Sequence, residues 1–253
     1  MSLPVSEDDL ANYVAYLHQK GYAPSTITST LSAISYIHKL NNVADPTEAF
    51  LIKKMLAGCR NLRSKKDDRV PMTLEVLHAV IQRADVYFSG QADSIRFKAM
   101  CALAFFALLR VGEMTSSPNN IQKEDITVLD DRIHICFRRC KHSNGETSRH
   151  EILKREDPVI CPVRNVTSFL QIRKQGPGPL FSHTSGKSVK RDEFASELKG
   201  ILMSLGLGNT RYTSHSFRIG AASWLAATGH SDLQIQRAGR WKSQAFQNYI
   251  RLN

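Results

Sequence analysis

A mainly α-helical chain with one small antiparallel β-sheet is what this sequence predicts, arranged as a helical N-terminal domain and a larger α+β domain. Three observations carry that expectation. Apolar residues recur at helical spacing through the first sixty or so positions and again over most of the chain beyond residue 72. Between these stretches, RNLRSKKDDRVP has little apolar periodicity and ends in a Val-Pro step that resists helix. In one place, between residues 126 and 153, the apolar period drops to the alternation of strands.

The elements follow in order. Ser6 and Asp9 form a capping pair, and Leu10, Tyr13, Val14 and Leu17 repeat with helical spacing until Gly21. A second helix starts after Pro24 with Ile27, Leu31, Ile34 and Ile37 on its apolar side. Thr28, Ser32, Ser35 and Lys39 lie on other faces, suited to phosphate oxygens or simply to water. Asp45, Pro46 and Glu48 open a third helix through Leu51, Met55 and Leu56. The domains are expected at residues 1–62 and 72–253, joined by a basic linker at 63–71. Helices are expected at 73–84 and 93–109, the second apolar on nearly every side and therefore central. Strands are expected at 126–128, 132–138 and 150–153, the last two separated by a turn that contains an Asn-Gly pair. Helices resume at 162–173, 191–205, 215–227 and 231–236.

The chain has 253 residues, with 34 Lys and Arg against 23 Asp and Glu, a formal net charge of +11. That balance suits a polyanionic partner, with a membrane surface or an acidic protein as alternatives. The longest apolar run, around 99–109, is too short to span a bilayer. With no targeting segment in view, an intracellular location is expected. Five cysteines, an odd number without zinc-knuckle spacing, favour reduced, mostly buried thiols over disulfides or a metal site.

Two short constellations point towards an anion. In HSFR, His215 and Arg218 are three apart, so on a helix an imidazole and a guanidinium share a face; the pairing also occurs by chance on solvated helices. In ALLRVGEM, Arg110 closes the most apolar helix, with Glu113 three residues on. Glu113 can serve as a structural salt-bridge partner, or it can orient Arg110 for bidentate contact with two phosphate oxygens.

Five segments, ALLRVGEM, RRCKH, HSFR, GRW and NYIR, stand in an order that resembles the tyrosine recombinases of the phage integrase family, over nearly the whole chain. RRCKH and the Trp of GRW are similar to mobile-element recombinases of eukaryotes, which would imply a nucleus. The resemblance implies a core-binding N-terminal domain that clamps duplex DNA against an integrase-like catalytic domain. Residue by residue, it implies Arg110 and Arg218 as the arginines, Lys141 as the hairpin lysine, His215 as the histidine, Trp241 at a position held by His or Trp, Tyr249 as nucleophile, and Glu113 as the supporting acid. Gly229-His230-Ser231 is similar to the family's second-histidine motif, yet the next tyrosine is 19 residues on, so His230 is assigned to a turn between helices. Trp241 precedes Tyr249 by one residue fewer than the commoner spacing.

The resemblance further implies strand cleavage and rejoining through a 3′-phosphotyrosyl intermediate, with no cofactor and no metal. A phenol is a poor nucleophile at neutral pH unless a base, here His215, takes its proton; two arginines can stabilise the extra charge, and Lys141 can protonate the leaving 5′ oxygen. Arg60, Arg63, Lys65, Lys66 and Arg69 along the linker, and Arg138 and Arg139 beside Lys141, are expected on the DNA backbone. The expected partners are double-stranded DNA and further copies of the chain, as a tetramer on DNA, with no membrane. A topoisomerase acting as a monomer, and a DNA-binding protein that keeps the fold without turnover, are the alternatives.

Overall fold

The computed structural model describes residues 3–62, 67–138, 147–173 and 175–251, and the chain divides into two units, Met1–Asp67 and Asp68–Asn253. Each unit has its own apolar core.

In the first unit, Ser6 caps α1 (Glu7–Gln19) by accepting from the Asp9 N–H at 3.1 Å. The helix ends before Gly21, whose φ of 87° suits a residue without a Cβ. Helix α2 (Pro24–Leu40) begins at its proline and buries Ile27 and Leu31. The expected apolar stripe departs at its far end: Ile37 is exposed and the neighbouring His38 is fully buried. His38 is tolerated there because both ring nitrogens are satisfied, one accepting from the Val5 N–H at 3.0 Å and the other lying 2.8 Å from the Ile34 carbonyl. The third helix is split. Asp45 caps a single 3₁₀ turn, Pro46–Glu48, and α3 (Phe50–Leu62) starts after Ala49 turns extended. Ser35 and Lys39 are committed to Asp45, at 2.5 and 3.4 Å, which fixes that turn against α2.

In the second unit, residues 68–73 run without regular structure. The Val70 and Met72 N–H groups donate to the carbonyls of Arg211 and Ser216, at 3.3 and 3.0 Å. Thr73 caps α4 (Leu74–Tyr87), which packs on α5 (Gln91–Phe106). Helix α5 is buried on nearly every side and is flanked by α4, α7 (Pro162–Ile172) and α9 (Ser216–Ala227). It stops at Phe106, short of the expected 109, because Leu108 takes a left-handed φ of 47° and turns the chain. Arg110 therefore does not close that helix; it stands at the start of α6 (Val111–Met114).

The sheet is antiparallel in the order β1 (Ile126–Val128), β2 (Arg132–Phe137), β3 (Ser148–Leu153). Ile133, Ile135 and Phe137 alternate inward along β2, as the period of two requires. β3 starts two residues before the expected 150, since Ser148 pairs with Phe137. The turn between them lies largely outside the described residues. Helix α8 (Arg191–Ser204) packs on α4, and α10 (Asp232–Gly239) follows α9 through a turn at Gly229 and His230.

Gly220, on α9, sets how closely that helix meets the chain before α4: a Cβ there would sit 1.8 Å from the Met72 carbonyl oxygen. Backbone cannot step aside as a side chain can. Gly220→Ala is expected to cost about 2 kcal/mol or more, read as a lower midpoint in urea unfolding.

Candidate active site

The site is assembled where three segments meet: the bend after α5, the start of α9, and the chain following α10. At the bend, Glu113 folds back on its own turn. One carboxylate oxygen accepts from the Arg110 backbone N–H at 2.7 Å, and the other from the Arg110 side chain at 3.2 Å. Glu113 is 7% exposed and Arg110 is 31% exposed, so the acid is enclosed while the guanidinium reaches the surface of a cleft.

His215 occupies the N-cap position of α9, and Arg218 lies one turn in. Arg218 is 1% exposed. Its Nη1 donates to the Leu108 carbonyl and its Nη2 to the Gly239 carbonyl at 3.0 Å, while its Nε has no hydrogen-bond partner among the described residues. Burial first, then the charges of Arg110 and Arg240, push the Arg218 guanidinium down to about 9. Cations close enough to oppose one another in this way are relieved by an anion.

The chain after α10 brings in the aromatic residues. Helix α10 ends at Gly239, where a Cβ would meet the Trp241 ring at 1.6 Å. A 3₁₀ segment, Gln244–Tyr249, then carries Tyr249 back towards α9, capped by Ser243 and anchored by the buried Phe246. This conformation rises more per residue than an α-helix, which lets the short run from Trp241 reach the site. Ser223, whose hydroxyl donates to the Ile219 carbonyl at 2.8 Å, pins its end by accepting from the Arg251 N–H at 2.8 Å. The Tyr249 ring lies 4.9 Å from that of His215 and 4.9 Å from that of Trp241, centroid to centroid. The Arg218 guanidinium carbon is 4.5 Å from the Trp241 centroid and 5.5 Å from the Tyr249 centroid. The Trp241 side chain makes ring contacts, and its backbone N–H donates to the Gln236 carbonyl at 3.0 Å.

Six expected residues thus converge: Arg110, Glu113, His215, Arg218, Trp241 and Tyr249. A cleft of about 570 Å³ opens on Arg110, His215 and Arg218, and Arg69 and Arg191 line it as well. Arg69 was expected on the linker; it stands at this cleft. Arg138 is paired with the buried carboxylate of Asp125, and Arg60, on α3, donates to the Thr28 hydroxyl at 3.4 Å. Lys141, Arg139, Arg63, Lys65 and Lys66 lie outside the described residues. His230 is in the turn after α9, within 3.1 Å of the Thr228 hydroxyl and 3.2 Å of the Leu225 carbonyl. A larger cavity of about 740 Å³ along α7 contains none of the converging residues.

Sequence reading missed Arg240 and Arg191. Arg240 stood in plain view within GRW, but nothing local marked it, since Ala107, Leu108 and Glu113, to which it donates, are more than a hundred residues away.

The profile of the phage integrase family matches residues 71–253, which include all six converging residues. The chain belongs to the phage integrase family. Curated relatives of this family member include recombinase Cre of Escherichia phage P1, 24% identical over 267 residues, covering 98% of this chain and 76% of that protein. Tyrosine recombinase XerC of Herpetosiphon aurantiacus is 26% identical over 239 residues, covering 92% of this chain and 70% of the relative. Among solved structures, XerH site-specific recombinase bound to a palindromic difH substrate, in a post-cleavage complex, aligns with a TM-score of 0.69 at 15% identity, covering 98% of this chain and 69% of the other. The Tn1549 transposon integrase in complex with transposon right-end DNA aligns with a TM-score of 0.67 at 13% identity, covering 100% of this chain and 83% of the other. The fold is therefore that of the integrase-family recombinases. Among the described residues, no helix is long and apolar enough to cross a membrane.

Proposed function

We propose that this chain cleaves and rejoins DNA strands as a site-specific recombinase, with Tyr249 as the nucleophile. The observation that carries the reading is the packing of the Tyr249 ring against His215 and beside the Arg218 guanidinium, with Arg110 on the same cleft and near enough to oppose the charge of Arg218. The phenol oxygen forms a bond to the scissile phosphorus and its proton passes to the His215 imidazole. Arg110 and Arg218, which both line the cleft, stabilise the charge that builds on the non-bridging oxygens. The bond from phosphorus to the 5′ oxygen breaks, and Lys141 supplies the proton for that leaving oxygen. The 3′-phosphotyrosyl ester keeps the bond energy, so that another 5′-hydroxyl can attack and rejoin the strand without ATP.

The N-terminal helical unit is assigned to DNA contact, with Arg60 exposed on α3, and the segment around residues 63–71 to the phosphate backbone. Arg69 and Arg191 extend the cationic lining of the cleft along that backbone. Exchange between two duplexes breaks four strands, and each copy offers one Tyr249, so a tetramer on DNA is the assembly this chemistry asks for. The likeness to a transposon integrase favours mobile-element DNA as the substrate.

A nicked duplex that loses its short fragment on cleavage traps the intermediate. Incubated with such DNA in EDTA, the protein is expected to form a covalent adduct whose protease fragment carries the nucleotide on Tyr249. Absence of adduct on the cognate site would overturn the reading, and an adduct that needs a divalent metal would overturn the purely cationic mechanism.

A further inference from the structure

Arg240 takes no part in the steps above, yet its side chain is 4% exposed and its backbone is left-handed, with φ of 56°. That conformation costs about 1 kcal/mol or more for a residue with a Cβ, and glycine is its usual occupant. The neighbouring Gly239 cannot exchange roles, because its own Cβ would strike the Trp241 ring. Something about the arginine side chain offsets the strained backbone.

Its contacts supply the answer. Nη1 donates to the Ala107 carbonyl at 3.0 Å, and Nη2 to the Leu108 carbonyl at 3.2 Å and to the Glu113 carboxylate at 2.7 Å. The guanidinium carbon lies 3.9 Å from the centroid of the Phe137 ring, at the end of β2. The Glu113 oxygen that Arg240 holds also accepts from the Arg110 N–H, and the Leu108 carbonyl also accepts from Arg218. Arg240 therefore shares one acceptor with each of the two arginines assigned to the phosphate. Phe137 in turn meets the His150 ring at 5.2 Å, with the rings near perpendicular, across the sheet, so the same guanidinium packs on the turn-side end of the β2–β3 pair. Burial, and then the charge of Arg240, push the His150 imidazole down to about 4, which keeps this contact free of a competing cation at neutral pH.

We propose that Arg240 is a positioning residue for strand cleavage: it acts through Glu113 and the Leu108 carbonyl to hold Arg110 and Arg218 in register with each other. The inference rests on the assignment of those two arginines to the scissile phosphate. A lysine at 240 keeps the charge but cannot fork to two carbonyls and a carboxylate while stacking on a ring. A glycine at 240 relaxes the backbone and removes the side chain alone.

The test uses the full chain and the nicked suicide duplex, measuring the single-turnover cleavage rate at saturating protein, DNA affinity and the thermal midpoint. Arg240→Gly is expected to cleave about 10²-fold more slowly, and Arg240→Lys about 10-fold more slowly, with DNA affinity unchanged. A second substrate, with a methylphosphonate at the scissile position, lacks the charge that the arginines stabilise. On it, the deficit of Arg240→Gly is expected to shrink in parallel with that of Arg110→Ala. A merely structural role would lower the thermal midpoint and the active fraction but leave the rate of the folded fraction, and the substrate dependence, as in the unaltered chain. Variants that cleave as fast as the unaltered chain, or a deficit that is the same on both substrates, would overturn this inference alone. An unaltered chain that forms no adduct would overturn the reading beneath it as well.

Discussion

Tyr249→Phe is expected to abolish the covalent protein–DNA adduct, a loss on the order of 10⁴-fold or more, while DNA affinity and thermal stability stay close to those of the unaltered chain. The expectation follows from what the substitution removes. The ring contacts with His215, Trp241 and Arg218 belong to carbons that phenylalanine retains. No hydrogen bond of the Tyr249 hydroxyl occurs among the described residues, so its loss leaves no partner unsatisfied. Tyr212 is the nearest tyrosine in the sequence, and burial raises its hydroxyl above the ordinary value, the wrong direction for a substitute nucleophile. Adduct formation and a filter-binding measurement on the same preparation make the comparison. An adduct that survives would place the nucleophile elsewhere.

Arg218→Lys has the second largest expected effect, and its signature is a pH dependence. At this position burial and two neighbouring arginines push a guanidinium down to about 9 and leave it charged at neutral pH. An amine ordinarily titrates near ~10.4, below a guanidinium, and the same burial and neighbouring cations lower it from there towards neutrality. A lysine is cationic only below its pKa, so it would lose its charge as pH rises through neutrality, whereas the arginine would keep it. Cleavage by Arg218→Lys is expected to fall by about 10²–10³-fold at pH ~8. The ratio of variant to unaltered rate should recover as the pH is lowered towards ~6, which separates this effect from any titration common to both proteins. A ratio that stays flat across that range would mean that charge is not what the position supplies. Arg218→Ala would confound the measurement, because it leaves the Gly239 carbonyl without its Arg218 donor, at a cost of about 1–3 kcal/mol, and the Leu108 carbonyl with Arg240 alone.

The helices and the sheet were visible in the sequence wherever a local rule sufficed. Ser6 caps α1 because its hydroxyl reaches an amide three residues on, and Ile133, Ile135 and Phe137 alternate because a strand obliges them to. Local rules erred where a distant partner intervened. Ile37 had the right spacing for the core, but His38 took the buried place because Val5, far along the chain, offered it an amide. Asp45 looked like the start of one long helix, yet its hold on Ser35 and Lys39 fixed a separate turn. Leu108 looked like one more residue of α5, and its left-handed backbone instead presents carbonyls to Arg218 and Arg240.

By itself the sequence determined the chemistry on offer: a phenol, an imidazole, guanidiniums and an acid, in an order shared with a family of recombinases. Those are properties of side-chain types and their succession, and no folding changes them. Only the tertiary structure decided which cations stand close enough to oppose one another, that Glu113 serves Arg110 and Arg240 together, and that Tyr249 arrives on a 3₁₀ segment against His215. The reason is physical. A hydrogen bond between Arg240 and Glu113 spans 127 positions of chain, and closing so long a loop leaves no trace in the local spacing of residues at either end.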